Sequence, residues 1–473
     1  MVDNRRKKTA CDRCYELREK CDRPSNDAVC ARCDRLALEC STVRPIRKAG
    51  RKPRRHGSKA DGQAASVPHA LPELSRLSFG PWLENEVNLD PSEKELLMFL
   101  LDQPKNLGYH VVTASFQIAE QRSLMALLPA ALPVLKDAYL ALASALKKLQ
   151  PGVDNTDEAD ALDCVRYASS AMETLRTLPV TSKQELAVCL TLGAALAFAV
   201  YSTLGVGATD VCEYCLRATR LPLMVTPETW SLDVDTESRQ TFLIAVELMD
   251  CVVQCRKLTL RIPAGAALST VDRHFGLCLP LLCHYYDLCA ISYALVNSPD
   301  TAYMAHFEEQ LDTIHALVDA WRPSCQDVTP DRFESSDLVH LLAQAKVYRL
   351  AALLFTHRLR YLFGEQDSEA DIWSKEIMAE LDMSEWATRR VARCVTLPFM
   401  IAAIEVRQPE LRAKALLDVG KYVDQFTPTI QRASRQFLSR IWVERDRKIT
   451  TRWFTSVSKP CPVLRSVDAR IFP

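Results

Sequence analysis

Six cysteines fall close together near the start of a 473-residue chain, spaced Cys11-x2-Cys14-x6-Cys21-x8-Cys30-x2-Cys33-x6-Cys40. The segment repeats with a period of 19: C-D-R-C-Y-E-L-R-E-K-C is followed by C-A-R-C-D-R-L-A-L-E-C. Both halves read C-x-R-C-x-x-L-x-x-x-C, with Leu17 and Leu36 in equivalent places. A two-residue gap lets both thiolates of a pair reach one metal ion as a turn enters a helix, and the six-residue gap returns a third from beyond that helix. Each half thus offers three sulfurs, one fewer than tetrahedral zinc requires. Two zinc ions call for eight ligand positions, which six sulfurs fill only if two of them bridge. So short a loop-rich segment cannot stabilise itself by core burial, and metal binding is expected to supply its folding free energy.

The redox setting agrees with this reading. The opening residues MVDNRRKKTA are basic and hold no apolar h-region, so no secretory signal is expected. In a reducing compartment a tight cysteine cluster binds metal in preference to forming disulfides. The other twelve of the 18 cysteines are scattered from Cys164 to Cys461. Among them Cys212-x2-Cys215 has the look of a zinc or redox pair, but no second pair or histidine stands at suitable spacing. Buried free thiols are the expected state there, as for Cys251, Cys255, Cys278, Cys283 and Cys289.

Lys+Arg and Asp+Glu number 59 each, so the net charge is zero, but the charge is segregated. Residues 1–59 carry 18 basic and 8 acidic residues, leaving 41 basic and 51 acidic in the rest. A basic head on an acidic body points to a polyanionic partner for the head. Arg5, Arg6, Lys7 and Lys8 precede the cluster, and Arg51, Lys52, Arg54 and Arg55 follow it. These runs read as nuclear-import signals, as DNA-backbone arms, or as a solvated linker. Within the cluster the halves differ: Arg18 and Lys20 in the first face Ala37 and Glu39 in the second, so the first half is the one expected to meet phosphate.

The cysteine spacing, in this basic context, resembles the fungal Zn2Cys6 binuclear-cluster transcription regulators, of the type found regulating secondary-metabolite pathways. The resemblance implies two Zn2+ bridged by Cys11 and Cys30, with Cys14, Cys21, Cys33 and Cys40 as the remaining ligands. It places the first helix in the DNA major groove over a CGG-like triplet. Arg18 is then the base-reading residue, suited to a bidentate contact with guanine. Lys20 and Arg23 match phosphate-holding positions, and Arg13 joins them. This chain departs from the pattern at Leu17 and Tyr15, where basic residues are usual, while Glu16 and Glu19 add repulsion. Binding is therefore expected to be strongly salt-sensitive. Double-stranded DNA is the partner this implies, and the nucleus the location.

Composition divides the chain into a cluster domain at 1–43, a basic flexible linker at 44–89, a helical body at 90–457 and a tail at 458–473. Only 13 glycines and no clear period-2 runs argue for an all-α body. Asp90-Pro91-Ser92-Glu93 reads as a capping box with proline at the first helical position. Helices are then expected near 112–127, 132–149, 157–178, 183–204, 208–220, 237–260, 278–296, 300–321, 335–363, 384–406, 409–425 and 429–447. Residues 186–209 carry no charge and are long enough for a bilayer, yet a fully buried central helix has the same pattern; the buried reading is taken and no membrane partner is expected.

The runs AQAKVYRLAALLFTHRLRYLFG (343–364) and LPFMIAAIEVRQPELR (397–412), with Trp442–Asp446, resemble the helical regulatory region of the same fungal factors. That resemblance implies contacts with transcription machinery or co-regulators through the body. No heptad pattern follows Cys40, so both a monomer and a dimer paired through the body remain open. No P-loop, G-x-G-x-x-G, G-x-S-x-G or H-E-x-x-H is present, and an enzyme is not expected. The alternative is a helical enzyme or small-molecule receptor that uses the zinc module as a DNA tether.

Overall fold

The computed structural model describes residues 10–12, 14, 20–23, 28–38, 40–42, 79–149, 158–203, 207–225, 232–262, 271–297, 301–324, 332–424 and 426–457. They divide between two units, Met1–Pro72 and Glu73–Pro473. In the first unit one helix, α1 (Ala31–Arg35), is described. The described residues of the second unit form helices and their connections, and the only β pairing among them is an isolated bridge between Asp272 and Gly276.

The body starts ahead of Asp90. Helix α2 (Gly80–Asn85) lies in the stretch read from sequence as linker, and its Leu83, with Phe79 and Leu89, is buried in the core. Helix α3 (Pro91–Leu101) opens as expected: Asp90 Oδ1 accepts from the Ser92 and Glu93 amides at 2.8 and 2.9 Å, and Glu93 Oε2 accepts from the Asp90 amide at 3.1 Å. A short α4 (Pro104–Leu107) follows.

Two sequence expectations are corrected next. In place of separate helices at 112–127 and 132–149, one 32-residue helix, α5 (Gln117–Lys148), runs through Pro129 and Pro133. The two prolines are four residues apart and both exposed, so the carbonyls they strand face water. Leu128, Ala131, Leu132 and Leu135 on the opposite face are buried and hold the helix together. Likewise the single helix expected at 384–406 is two. Helix α13 (Asp367–Thr388) ends at a left-handed Arg389, and α14 (Thr396–Glu405) starts after an irregular break. Most of α13 had no helical expectation, because Ile372, Met383 and Trp386 are exposed and blur its apolar stripe.

The remaining helices are α6 (Glu158–Thr177), α7 (Lys183–Thr203), α8 (Ala208–Val225), α9 (Val234–Gln254), α10 (Leu282–Asn297), α11 (Thr301–Ala320), α12 (Ser335–Arg360), α15 (Pro409–Tyr422), α16 (Pro428–Asp446) and α17 (Trp453–Val457). Among the described residues, four helical segments have the length and composition to cross a membrane, and α7 is the most apolar of them. Protein covers α7 on all sides: α5, α8, α9 and α16 pack on it, and nearly every residue from Leu186 to Ser202 is buried. Its freedom from charge is what a central core helix needs. At Gly193 the packing closes completely, since a Cβ there would lie 2.3 Å from Cys215 Sγ on α8.

Buried charges pin the irregular segments. Glu120 on α5 receives Arg273 Nη1 at 2.5 Å, with His110 at 3.2 Å and Arg239 at 3.5 Å. Burial acts to raise the Glu120 carboxyl, but His110, Arg239 and Arg273 together hold it well below the usual carboxylate range. Arg273 also pairs with Asp235 at the start of α9. This fastens the turn 271–276, in which Asp272 Oδ1 accepts from the His274 and Phe275 amides at 2.8 and 2.5 Å. Gly276 closes it with φ +55°, and a Cβ there would stand 2.5 Å from Gln344 Oε1 on α12. Farther on, Arg358 is 1% exposed and bridges Glu405 at 2.8 Å and Asp367 at 2.7 Å.

Gly193→Ala is expected to lower stability by about 1–3 kcal/mol, measured as a shift in urea midpoint. In the double variant Gly193→Ala/Cys215→Ala the loss should fall well short of the sum of the singles; strict additivity would rule out the Sγ clash as the cause.

Candidate metal centre

The first unit is built around sulfur. Cys11, Cys14, Cys30 and Cys33 are buried, and Cys21 and Cys40, with Leu38, pack against them. The six sulfurs fall into two quartets, Cys11–Cys14–Cys21–Cys30 and Cys11–Cys30–Cys33–Cys40, with all sulfurs of a quartet within 4.8 Å of one another. Cys11 and Cys30 belong to both. Cys11 Sγ lies 3.9 Å from Cys30 Sγ and 3.8 Å from Cys33 Sγ, and Cys14 Sγ lies 3.7 Å from Cys30 Sγ. Four thiolates about 2.3 Å from a tetrahedral zinc stand about 3.8 Å from each other, so the spacing fits that ion.

Backbone bonds related by the 19-residue repeat set this arrangement. The Cys11 amide donates to Cys21 Sγ at 3.3 Å, and the Cys30 amide donates to Cys40 Sγ at 3.4 Å. Across the halves, the Asp12 amide donates to the Ser41 carbonyl at 2.9 Å and the Ala31 amide to the Asp22 carbonyl at 3.0 Å. Cys30 is also the N-cap of α1, its sulfur accepting from the Cys33 amide at 3.4 Å. Helix N-termini favour negative charge, so this is a good seat for a thiolate.

Acidity follows the same division. The Cys33 amide, against the pull of burial, brings the Cys30 thiol down to about 6. At Cys11 burial acts upward, but the Cys14 amide and the neighbouring thiols outweigh it and lower the thiol. Cys14, Cys21 and Cys33 are pushed up, first by burial and then by donating to Cys11 and Cys30; Cys21 reaches about 12. The sulfurs shared by both quartets are therefore the two that ionise most readily.

The cationic residues singled out in the sequence fare differently. Lys20 is described and exposed. Arg23, which the resemblance puts on DNA phosphate, is 4% exposed, and its Nη1 donates to Thr42 Oγ1 at 2.9 Å, so it ties the middle of the cysteine segment to the residues that follow Cys40. Arg13, Arg18, the run Arg5–Lys8 and the run Arg51, Lys52, Arg54, Arg55 lie outside the described residues. One contributor had not been singled out: Arg32 hydrogen-bonds Cys14 and partly opposes the rise that burial causes in its thiol. Its signal in the sequence is the arginine common to both C-x-R-C repeats.

In the body, Cys212 and Cys215 are fully buried free thiols, as are Cys251, Cys278, Cys283 and Cys289. Burial drives the Cys212 thiol well above its ordinary value, which disfavours the thiolate there. Among the described residues the two sulfur quartets are the cysteine and acidic groupings able to hold a metal ion.

The fungal specific transcription factor domain family matches residues 238–463, from within α9 to beyond α17. Comparison with curated proteins and with solved structures gives no match. A cysteine cluster compatible with a Zn2Cys6 centre thus precedes a stretch that matches the fungal specific transcription factor domain family.

Proposed function

We propose that the chain is a zinc-dependent, sequence-specific DNA-binding regulator of genes read by RNA polymerase II. It acts in the nucleus on a CGG-like half-site, as a pathway-specific regulator such as that of a secondary-metabolite gene cluster. The observation that carries the metal part is the sharing of Cys11 and Cys30 between two sulfur quartets, which lets six cysteines serve two ions. Two Zn2+ held this way would fix the first half of the unit as a rigid surface. Arg18 then reads guanine in the major groove, while Lys20 and Arg13 hold phosphates. Arg23, turned inward to Thr42, keeps that surface in shape. The flanking basic runs add sequence-independent affinity or nuclear import, and the helical body meets co-regulators. A regulatory role for the body in preference to catalysis is supported by the matched domain family.

Purified full-length protein is expected to carry two zinc ions by elemental analysis. Cys11→Ser should lower that content further than Cys21→Ser, because only Cys11 serves both quartets. Equal losses from the two variants would overturn the bridging assignment.

Selection from random DNA with the zinc-loaded chain should enrich a CGG-type triplet, and the number of copies recovered reports whether one or two chains bind. Arg18→Ala should cost about 1–3 kcal/mol and relax one base position, whereas Lys20→Ala should weaken all sequences alike. Chelation should reduce site-specific affinity to the non-specific level, about 10³-fold or more weaker. Undiminished site-specific binding by metal-free protein would sink the reading.

A further inference from the structure

The helical body holds a cavity of about 960 Å3, at the upper end of the range for sites that take drug-sized molecules. Its lining includes a continuous row of rings: Phe426, Phe198, Phe242 and His274, with successive centroids 6.1, 6.4 and 5.7 Å apart. Such a row offers edge and face contacts to a flat ligand. Much of the remaining lining comes from the irregular break between α13 and α14, from Arg390 to Leu397.

That break is held in an unusual conformation. Arg389 and Cys394 have φ values of +59° and +55°, in the left-handed region that non-glycine residues avoid. Such strain persists where the surroundings over-determine it, and it clusters at ligand clamps. Here the Cys394 carbonyl accepts from Tyr348 Oη at 3.1 Å and from Gln344 Nε2 at 3.4 Å. The Arg390 carbonyl lies 3.2 Å from His340 Nε2, and Thr396 Oγ1 donates to the Tyr422 carbonyl at 3.1 Å. The wall is pre-organised, with its own backbone groups already satisfied.

The charges around the cavity can be assigned one by one. Lys105, Arg390 and Lys421 are exposed at its rim. Lys421 is paired with Glu385 at 3.0 Å, Arg390 lies 3.6 Å from Glu334, and Asp337 accepts from Ser115. Arg393 and Asp424 remain in the interior. They feel each other's charge, yet no ion pair joins them, and Arg393 has no carboxylate within ion-pair distance among the described residues. Asp424 uses Oδ1 to accept from the Phe426 amide at 2.9 Å. The hydroxyl of Thr113, in the lining and 2% exposed, has no hydrogen-bond partner among the described residues, and the Tyr201 ring lies in the same lining. A half-buried cation and an orphaned hydroxyl in a ring-lined cavity are costly unless something pairs with them.

We propose that this cavity is a binding site for a flat hydroxylated aromatic acid, its rings against Phe198 and Phe242, its anionic oxygen on Arg393 and its hydroxyl on Asp424 and Tyr201. The rim cations draw the anion inward, and Arg393 supplies the charge-assisted bond that selects it. The cavity is lined by residues of the second unit alone and its binding is read without DNA, so its failure leaves the DNA-binding reading untouched.

The test uses full-length protein and 3-hydroxy-2-naphthoate, whose own fluorescence reports binding. Saturable 1:1 binding is expected, about tenfold or more tighter than that of the neutral 3-hydroxy-2-naphthamide. Arg393→Gln should abolish the preference for acid over amide. Ala245→Trp, which places an indole in the cavity, should remove binding of both probes, with cooperative melting retained in each variant. No saturable binding by the wild-type chain would overturn the proposal, and so would equal affinity for acid and amide. Binding that survives Ala245→Trp in a folded protein would do the same.

Discussion

Sulfur sharing is the constraint from which the N-terminal unit follows. Each half-repeat brings three thiols, and a tetrahedral centre needs four, so neither half can complete a site alone. Placing Cys11 and Cys30 at the contact between halves solves both at once and forces the halves to lie against each other. Among the six, Cys11 and Cys30 are the two whose thiols are lowered, and the amide of Cys33 at the head of α1 helps to make Cys30 so. Metal affinity and folding are then one free energy. A mutation that frees either shared sulfur removes both closures together.

In the body, buried ion pairs fix what helix packing leaves undetermined. Helices find their places through apolar faces, but the connections between them have no such pattern to follow. Glu120 locks the turn 271–276 to α5 and α9, and Arg358 locks the loop before α13 to α14. Replacing such a pair by well-packed apolar groups is often neutral for stability, so their role here is to select one arrangement of the connections. That arrangement places His274 beside Phe242 and Cys394 beside His274, and hence shapes the cavity.

Much of this was legible in the sequence, for identifiable reasons. The cysteine period is a local signal, and so are the Asp90 capping box and the uncharged run of α7; each depends on residues close in the chain. Which sulfurs are shared was legible only through resemblance, because the five spacings alone do not distinguish Cys11 from Cys14. Arg23 read as a surface cation since nothing nearby announces Thr42, its partner 19 residues on. The continuity of α5 was hidden by two prolines whose cost depends on facing water, a tertiary fact. The cavity was invisible for the same reason: Thr113, Phe198, Phe242, His274, Arg393 and Asp424 come together only through the fold.

The crossed backbone bonds of the sulfur unit bear on its flanks. Because the Asp12 amide meets the Ser41 carbonyl, the chain enters and leaves the unit at one edge. Asp12 and Ser41, far apart in the sequence, are therefore neighbours in space. Tethering converts separate weak encounters into intramolecular ones, governed by effective concentration. Segments joined to the unit at Asp12 and at Ser41 start from neighbouring points, so a ligand held by one would meet the other at a raised effective concentration.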